Sequence, residues 1–448
     1  MIESSALEQV SVQQKTKSRW LFAAFMIFFL LLIFLKNDIG VGIPVWLLLL
    51  LYGGFAIFCD RDELIALCVC CIPLSTVFQY KYAILFCMLV YAAKYTKDLK
   101  MNFIIVPLLC MMAWELLHGI FYDFSFVQYL RGFAEILLCT FIIMIANKKF
   151  DHAFIFRAFA SCAVGIMIIM FIRLLIQNGW NIEKVFTGGY RFGVSDSEAD
   201  EFGMNFNANG LGEICNIAFI CLALVSFMKK AVKTDYVMMV ALAFFGVMTM
   251  SRTFILCFAV ACILLVFCGK NSLLSIIKKI AIIVATVAVV VGLIYLLAPM
   301  VIENFIKRFQ VDDISNGRVD LISYYNNIIF GNADVALFGI GLQDIAGKVS
   351  TRFGNFLFVP HNGIQELLVV WGFPGLIIFV WFIILFVKNG KKQVGKLSLE
   401  NYILLLFAIL NIQFGQLVTS GSTLISLVIV YLTMTIDFRE VRVDEQKS

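Results

Sequence analysis

Along this chain, apolar runs of about 15 to 25 residues alternate with short charged clusters from Trp20 to Ile436. Runs of that length suit helices that cross the hydrocarbon core of a bilayer, which is about 30 Å thick. Taken in order they predict spans near 20–35, 41–58, 64–78, 82–93, 102–120, 127–146, 153–176, 209–228, 235–250, 253–268, 280–299, 363–387, 402–418 and 422–436. The pair at 64–78 and 82–93 is short enough to be re-entrant, and removing both leaves every later orientation unchanged. The prediction is therefore about 12 to 14 transmembrane helices. Two polar stretches interrupt the pattern, at 177–208 and 300–362. In the second, Val319, Ile322, Tyr325, Ile328 and Ile329 recur at helical spacing, which predicts a short amphipathic helix along the membrane interface. Ser315 or Asn316 would cap it, putting Arg318 in its first turn.

The fold class expected from this pattern is an all-α polytopic membrane protein. Its parts are an N-terminal tail and helices over 1–176, a loop over 177–208, helices over 209–299, a long loop over 300–362, and C-terminal helices with a tail over 363–448. Composition excludes the soluble alternative, because the chain is 62% hydrophobic and only 15% charged. The first 19 residues are polar, with Lys15, Lys17 and Arg19, and the run after them lacks a small-residue cleavage site. That start reads as an uncleaved first span with a cytoplasmic tail.

Charge then orients the spans. With the N-terminus inside, Lys94/Lys97/Lys100, Lys148/Lys149, Lys229/Lys230/Lys233, Lys270/Lys278/Lys279 and Lys388/Lys391/Lys392/Lys396 all fall in cytoplasmic loops, as do Arg439 and Arg442. This is the asymmetry that the positive-inside rule requires. It puts both long polar loops outside and both termini inside. The external cations are mostly arginine instead: Arg131, Arg173, Arg191, Arg252, Arg308, Arg318 and Arg352. Orientation needs only charge, whereas a planar five-donor fork suits bidentate binding of phosphate or carboxylate.

Candidate chemistry gathers on that side. The chain has three histidines, and His361 stands in Pro360-His361-Asn362, where the long loop meets the span near 363–387. An imidazole at such a boundary can reach a substrate and exchange protons with water. Asn362, Gln365 and Glu366 follow within about a turn, so a polar face enters the membrane beside it. Arg252 occupies the tight hairpin Thr249-Met250-Ser251-Arg252-Thr253, where it can snorkel to headgroups or turn toward the bundle. Arg318 either anchors an interfacial helix or joins the free N–H groups of its first turn around an anion. Arg191, behind a Gly-Gly turn in the loop 177–208, reads as a sugar or phosphate contact or as an ordinary loop residue. The acidic patch Asp196, Glu198, Asp200 and Glu201 reads as solvated loop rather than metal ligands, and Asn207 and Asn209 as caps of the next helix. The cluster Cys68, Cys70 and Cys71 lies within an apolar run and reads as core filling. No metal or other cofactor is expected, and no nucleic-acid partner.

In order, Ser251-Arg252 between two close spans, Gly317-Arg318 opening an external helix, Gly339/Gly341, His361-Asn362, and Gly372/Gly375 in the next span resemble the O-antigen ligase/Wzy-type polymerase superfamily. The motifs cover roughly residues 185 to 385; the N-terminal spans match in character only. The resemblance implies a GT-C-like membrane glycosyltransferase in the bacterial inner membrane, with its active site facing the periplasm or exterior. The donor it implies is a glycan on undecaprenyl diphosphate. Arg252 and Arg318 would hold the diphosphate, His361 would activate the acceptor hydroxyl, and Arg191, Asn362 and Glu366 would stand as possible substrate contacts. The bilayer is an implied partner, and a chain-length regulator stays open as another. Guanidinium forks stabilise the charge that develops on a departing diphosphate, and an imidazole serves as base near neutral pH, so the residues agree with that chemistry. The expected activity is polymerisation of lipid-linked repeat units by inverting, metal-independent transfer. One alternative is ligation of the same donor to lipid A core. Another is a flippase or transporter for lipid-linked oligosaccharide, which similar span numbers and the span-end charges Arg131, Glu135, Arg157 and Arg173 also suit.

Overall fold

A computed structural model describes residues 2–75, 79–121, 125–187, 192–193, 207–269, 272–297, 299–300, 302–303, 306, 318–342, 345–354, 360–413 and 421–438. Every regular element among them is a helix. The first group is α1 (Ile2–Asn37), α2 (Val45–Phe58), α3 (Arg61–Cys70), α4 (Tyr80–Lys94), α5 (Ile105–Phe121), α6 (Phe126–Gly132), α7 (Ala134–Ile145) and α8 (His152–Gln177). Next come the short α9 (Ile182–Thr187), then α10 (Ala208–Phe227), α11 (Lys233–Met248), α12 (Arg252–Phe267) and α13 (Leu273–Leu297). The third group is α14 (Arg318–Gly331), α15 (Ala333–Phe338), α16 (Ile345–Phe353), α17 (Gly363–Val394), α18 (Leu399–Ile412) and α19 (Gly421–Met434).

The molecule is an all-α polytopic membrane protein. Five of these helices are long and apolar enough to cross a bilayer: Thr16–Asn37 of α1, then α8, α10, Leu273–Leu296 of α13, and α17. Each predicted span has a helix, although the one near 127–146 is divided into α6 and α7 at Phe133. Of the short pair, α3 is 10 residues, about 15 Å, too short to cross alone. Every residue from Asp62 to Cys70 is buried, which places Cys68 and Cys70 in the core with Cys71.

Burial grades the helices from centre to edge. α10 is covered along nearly all its length, whereas α13 exposes Leu273, Leu274, Ile282, Val284, Val289 and Leu296. A helix apolar on every side and exposed on most of them belongs at a lipid-facing edge. Ion pairs fix the ends. Arg19 at the head of the α1 span donates to Asp151 at 2.6 Å, and at the far end of the same two helices Arg173 Nε stands 3.6 Å from Asp38. α1 and α8 therefore run parallel, as first and seventh spans of an alternating bundle must. Arg157 grips Asp235 through Nε and Nη2, both at 2.9 Å, which joins the start of α8 to that of α11.

Candidate active site

The hairpin between α11 and α12 is closed by its own side chains. Thr249 Oγ1 donates to Gly246 O at 2.6 Å, and Ser251 Oγ accepts the Phe254 N–H at 3.2 Å, capping α12. Met250 takes φ 48°, a left-handed value that a non-glycine residue seldom adopts. With Ser251 as cap, Arg252 is the first helical residue, and it is partly exposed. Ser251 also donates to Asn209 Oδ1 at 2.7 Å, so the start of α10 is seated against the hairpin. Asn207 caps α10 by accepting the Asn209 N–H at 2.8 Å, as the sequence predicts for Asn207. The Phe192 N–H donates to Met248 O at 3.0 Å, bringing the loop before α10 to the same turn. Arg191, the acidic patch from Asp196 to Glu201, and Asn205 lie outside the described residues, as do Arg308, Ser315, Asn316 and Gly317.

His361 stands just before α17, partly buried, and Asn362 is the cap. Asn362 Oδ1 accepts from Ile364 N–H at 3.0 Å and Gln365 N–H at 3.2 Å, while its Nδ2 donates to Gln413 O at 3.3 Å. Gln365 Nε2 reaches α14, donating to Ile322 O at 2.9 Å and Asn326 Oδ1 at 2.8 Å. Glu366 is 0% exposed. Burial, then Tyr324 and Glu366 close by, push the Tyr325 hydroxyl above its ordinary range. The α14 surface turned to α17 thus carries Tyr325, with Leu321, Ile328 and Ile329 buried alongside; Val319, expected on that face, is exposed. Backbone of Arg318 opens α14 one turn before Ile322, the residue that Gln365 grips.

These pieces draw together through α18. It packs on α12, and Gly269, just past the end of α12, donates to the Glu400 carboxylate at the start of α18. The two are thus antiparallel, and at about 1.5 Å per residue their 16 and 14 residues are nearly equal in length. The far end of α18 returns to the level of Ser251 and Arg252, and there Gln413 holds Asn362 beside His361. Among the described residues no group of three or more His, Cys, Asp or Glu side chains is arranged to hold a metal ion.

The glycine motifs also meet. α17 breaks at Gly372, whose φ of 65° and ψ of −167° are non-helical, and Pro374 follows. Proline has no N–H, so Val370 O loses its helical donor. The Gly341 N–H replaces it at 2.9 Å, and Ile340 N–H serves Val369 O at 2.8 Å. Trp114 Nε1 donates to Trp371 O at 3.1 Å. A Cβ on Gly339 would stand 2.3 Å from Val370 O, and one on Gly372 would stand 2.7 Å from Ala336 O. Gly339 therefore makes room for the backbone just before Gly372, and Gly372 for the backbone just before Gly339.

Residues 237–380 match the family model described as O-antigen ligase. The O-antigen ligase match runs from α11 through the break in α17, so it takes in the hairpin, α14, the Gly339–Gly341 segment and His361. It bears out the family resemblance over that stretch and supports a membrane enzyme concerned with O-antigen-type polysaccharide. No curated protein matches the chain. Sequence reasoning read Asn209 as a cap, whereas it accepts from Ser251, and it missed Gln413, Glu115 and His118. The last two carry a usable signal, since they are ionisable residues within a predicted span, at 102–120.

Proposed function

We propose that this protein polymerises undecaprenyl-diphosphate-linked oligosaccharide repeat units at the external face of the bacterial inner membrane. In this reading Arg252 and Arg318 hold the diphosphate, and His361 takes the proton from the acceptor hydroxyl. The hydroxyl oxygen attacks the anomeric carbon, the bond from that carbon to the diphosphate oxygen breaks, and the lipid diphosphate leaves with the electron pair. Direct displacement inverts the anomeric centre. The arginines need no ground-state contact with the sugar to act; their value lies in meeting charge that grows as the bond breaks.

The observation that carries this reading is the link from hairpin to histidine, in which α18 runs back from the end of α12 and presents Gln413 to Asn362. That link supports a single site built from residues 109 positions apart in the chain. Arg318 is supported more indirectly, by the Gln365 bonds to the second and third turns of α14. Ligation to lipid A core has its own support, the description of the matched family.

The test is purified protein in liposomes with lipid-linked repeat units and no ion gradient. Wild type should yield longer lipid-linked glycans, and His361→Ala should yield none while staying folded. Full polymer from His361→Ala would sink the proposal. Transfer only to lipid A core would indicate a ligase, and translocation without new glycosidic bonds would indicate a transporter.

A further inference from the structure

Three side chains converge on the backbone at Gly341, and none belongs to the motifs. The position that a Cβ would take there has His118 Cβ and Lys348 Nζ at 3.3 Å and Glu115 Oε1 at 3.5 Å. Glu115, 4% exposed, accepts the Leu342 N–H at 2.9 and 3.0 Å and the Trp371 indole N–H at 2.8 Å. One carboxylate thus grips both sides of the helix break, the segment leading away from Gly341 and the residue just before Gly372. His118, 7% exposed, lies 2.7 Å from Phe338 O through Nε2 and 2.9 Å from Trp114 O through Nδ1. Both partners are acceptors, so both bonds form together only when each ring nitrogen carries a hydrogen. Lys348 Nζ donates to Ile340 O at 2.9 Å. The carbonyls of Phe338 and Ile340 and the N–H of Leu342 are in this way held by side chains, while the N–H groups of Ile340 and Gly341 hold α17.

We propose that Glu115 and His118 are positioning residues for the transfer reaction, a clamp from α5 that fixes the 338–342 segment against the break in α17. The segment is continuous with α15 and α14, and His361 stands just before α17, so the clamp sets the two halves of the site relative to each other. Gln365 fastens the same pair near the Arg318 end. At the other end the clamp steadies a junction that the N–H groups of Ile340 and Gly341 already make with α17. Misplacement of about 1 Å at a reacting centre costs up to about 100-fold in rate. This inference rests on the proposed role of His361 for its effect on rate, but not for the clamp itself.

Two measurements on the full-length protein test it. Hydrogen exchange of the peptides covering 338–342 and 369–373 should be faster in Glu115→Ala and His118→Ala than in wild type, at matched thermal midpoint in detergent. In liposomes, turnover per folded molecule at saturating donor should fall at least about 10-fold, with KM for the lipid-linked donor within about 2-fold. His118→Gln, which keeps a donor for Phe338 O, should recover much of the loss and separates clamp from folding defect. Unchanged exchange, unchanged turnover, a loss confined to KM, or no advantage of His118→Gln over His118→Ala would each overturn the clamp. His361→Ala in parallel should lose turnover with wild-type exchange. If it keeps turnover, the functional reading fails while the exchange result still judges the clamp.

Discussion

Among single residues, Asp38 shows how burial sets a pH response. It lies just past the end of α1, and burial raises its carboxyl to about 6 against the opposing pull of Arg173, 3.6 Å away. An unfolded aspartate titrates near 3.8, so the folded chain binds this proton more tightly. The contribution of Asp38 to stability therefore falls as pH rises through about 4 to 6 and is level above that. The thermal midpoint of wild type minus that of Asp38→Asn, in detergent, should drop across that window and then stay flat. A difference that is flat throughout would remove Asp38 as the cause. His361 and Arg252 stood out in the sequence as candidates because each lies at a boundary where burial must be explained. The contacts of Glu115 and His118 did not, because they are made to backbone at Phe338 and Leu342, more than 200 positions away. No periodicity records such a bond. Arg318 is placed by its backbone, and its companion cap residues lie outside what is described.

For elements, apolar run length was enough to find each long helix, because a span must be apolar throughout and the signal accumulates. α9, α15 and α16, of 6, 6 and 9 residues, escaped it, being too short to show a period. α14 was foreseen but its buried face was placed slightly off, since the packing that selects Leu321 over Val319 comes from α17 and α15 rather than from the helix itself. α16 is tied to α15 by Arg352, whose hydrogen bond to Asp334 holds that carboxyl below its usual range. Gly339 gives the sharpest test at this scale. Its φ is 78°, and a Cβ would meet Val370 O at 2.3 Å. Gly339→Ala should destabilise by about 2 kcal/mol or more and cut turnover. Gly331, in α14, has open space around the same atom, so Gly331→Ala should be neutral or slightly stabilising. Equal thermal midpoints for the two variants would refute the close-approach account.

Over the whole molecule, the lysines predict an alternation of spans, and the parallel pair α1 and α8 and antiparallel pair α12 and α18 have relative directions that agree with it. Which residues from distant spans become neighbours was not readable, because lipid-facing and buried apolar positions look alike in sequence. Sidedness is open to direct measurement. Single cysteines at Ser350 and Lys391, labelled in intact cells with an impermeant thiol reagent, should react at Ser350→Cys only. Equal labelling would overturn the orientation argued from charge. One consequence of the break in α17 belongs to the order in which the chain is made. Trp114, Ile340 and Gly341, which serve the carbonyls of Trp371, Val369 and Val370, all precede them in sequence. A ribosome therefore delivers the donors before the break reaches the bilayer. A fragment starting after Leu342 would carry those carbonyls into lipid unserved, each at a cost of several kcal/mol, and should insert poorly unless the missing part is supplied.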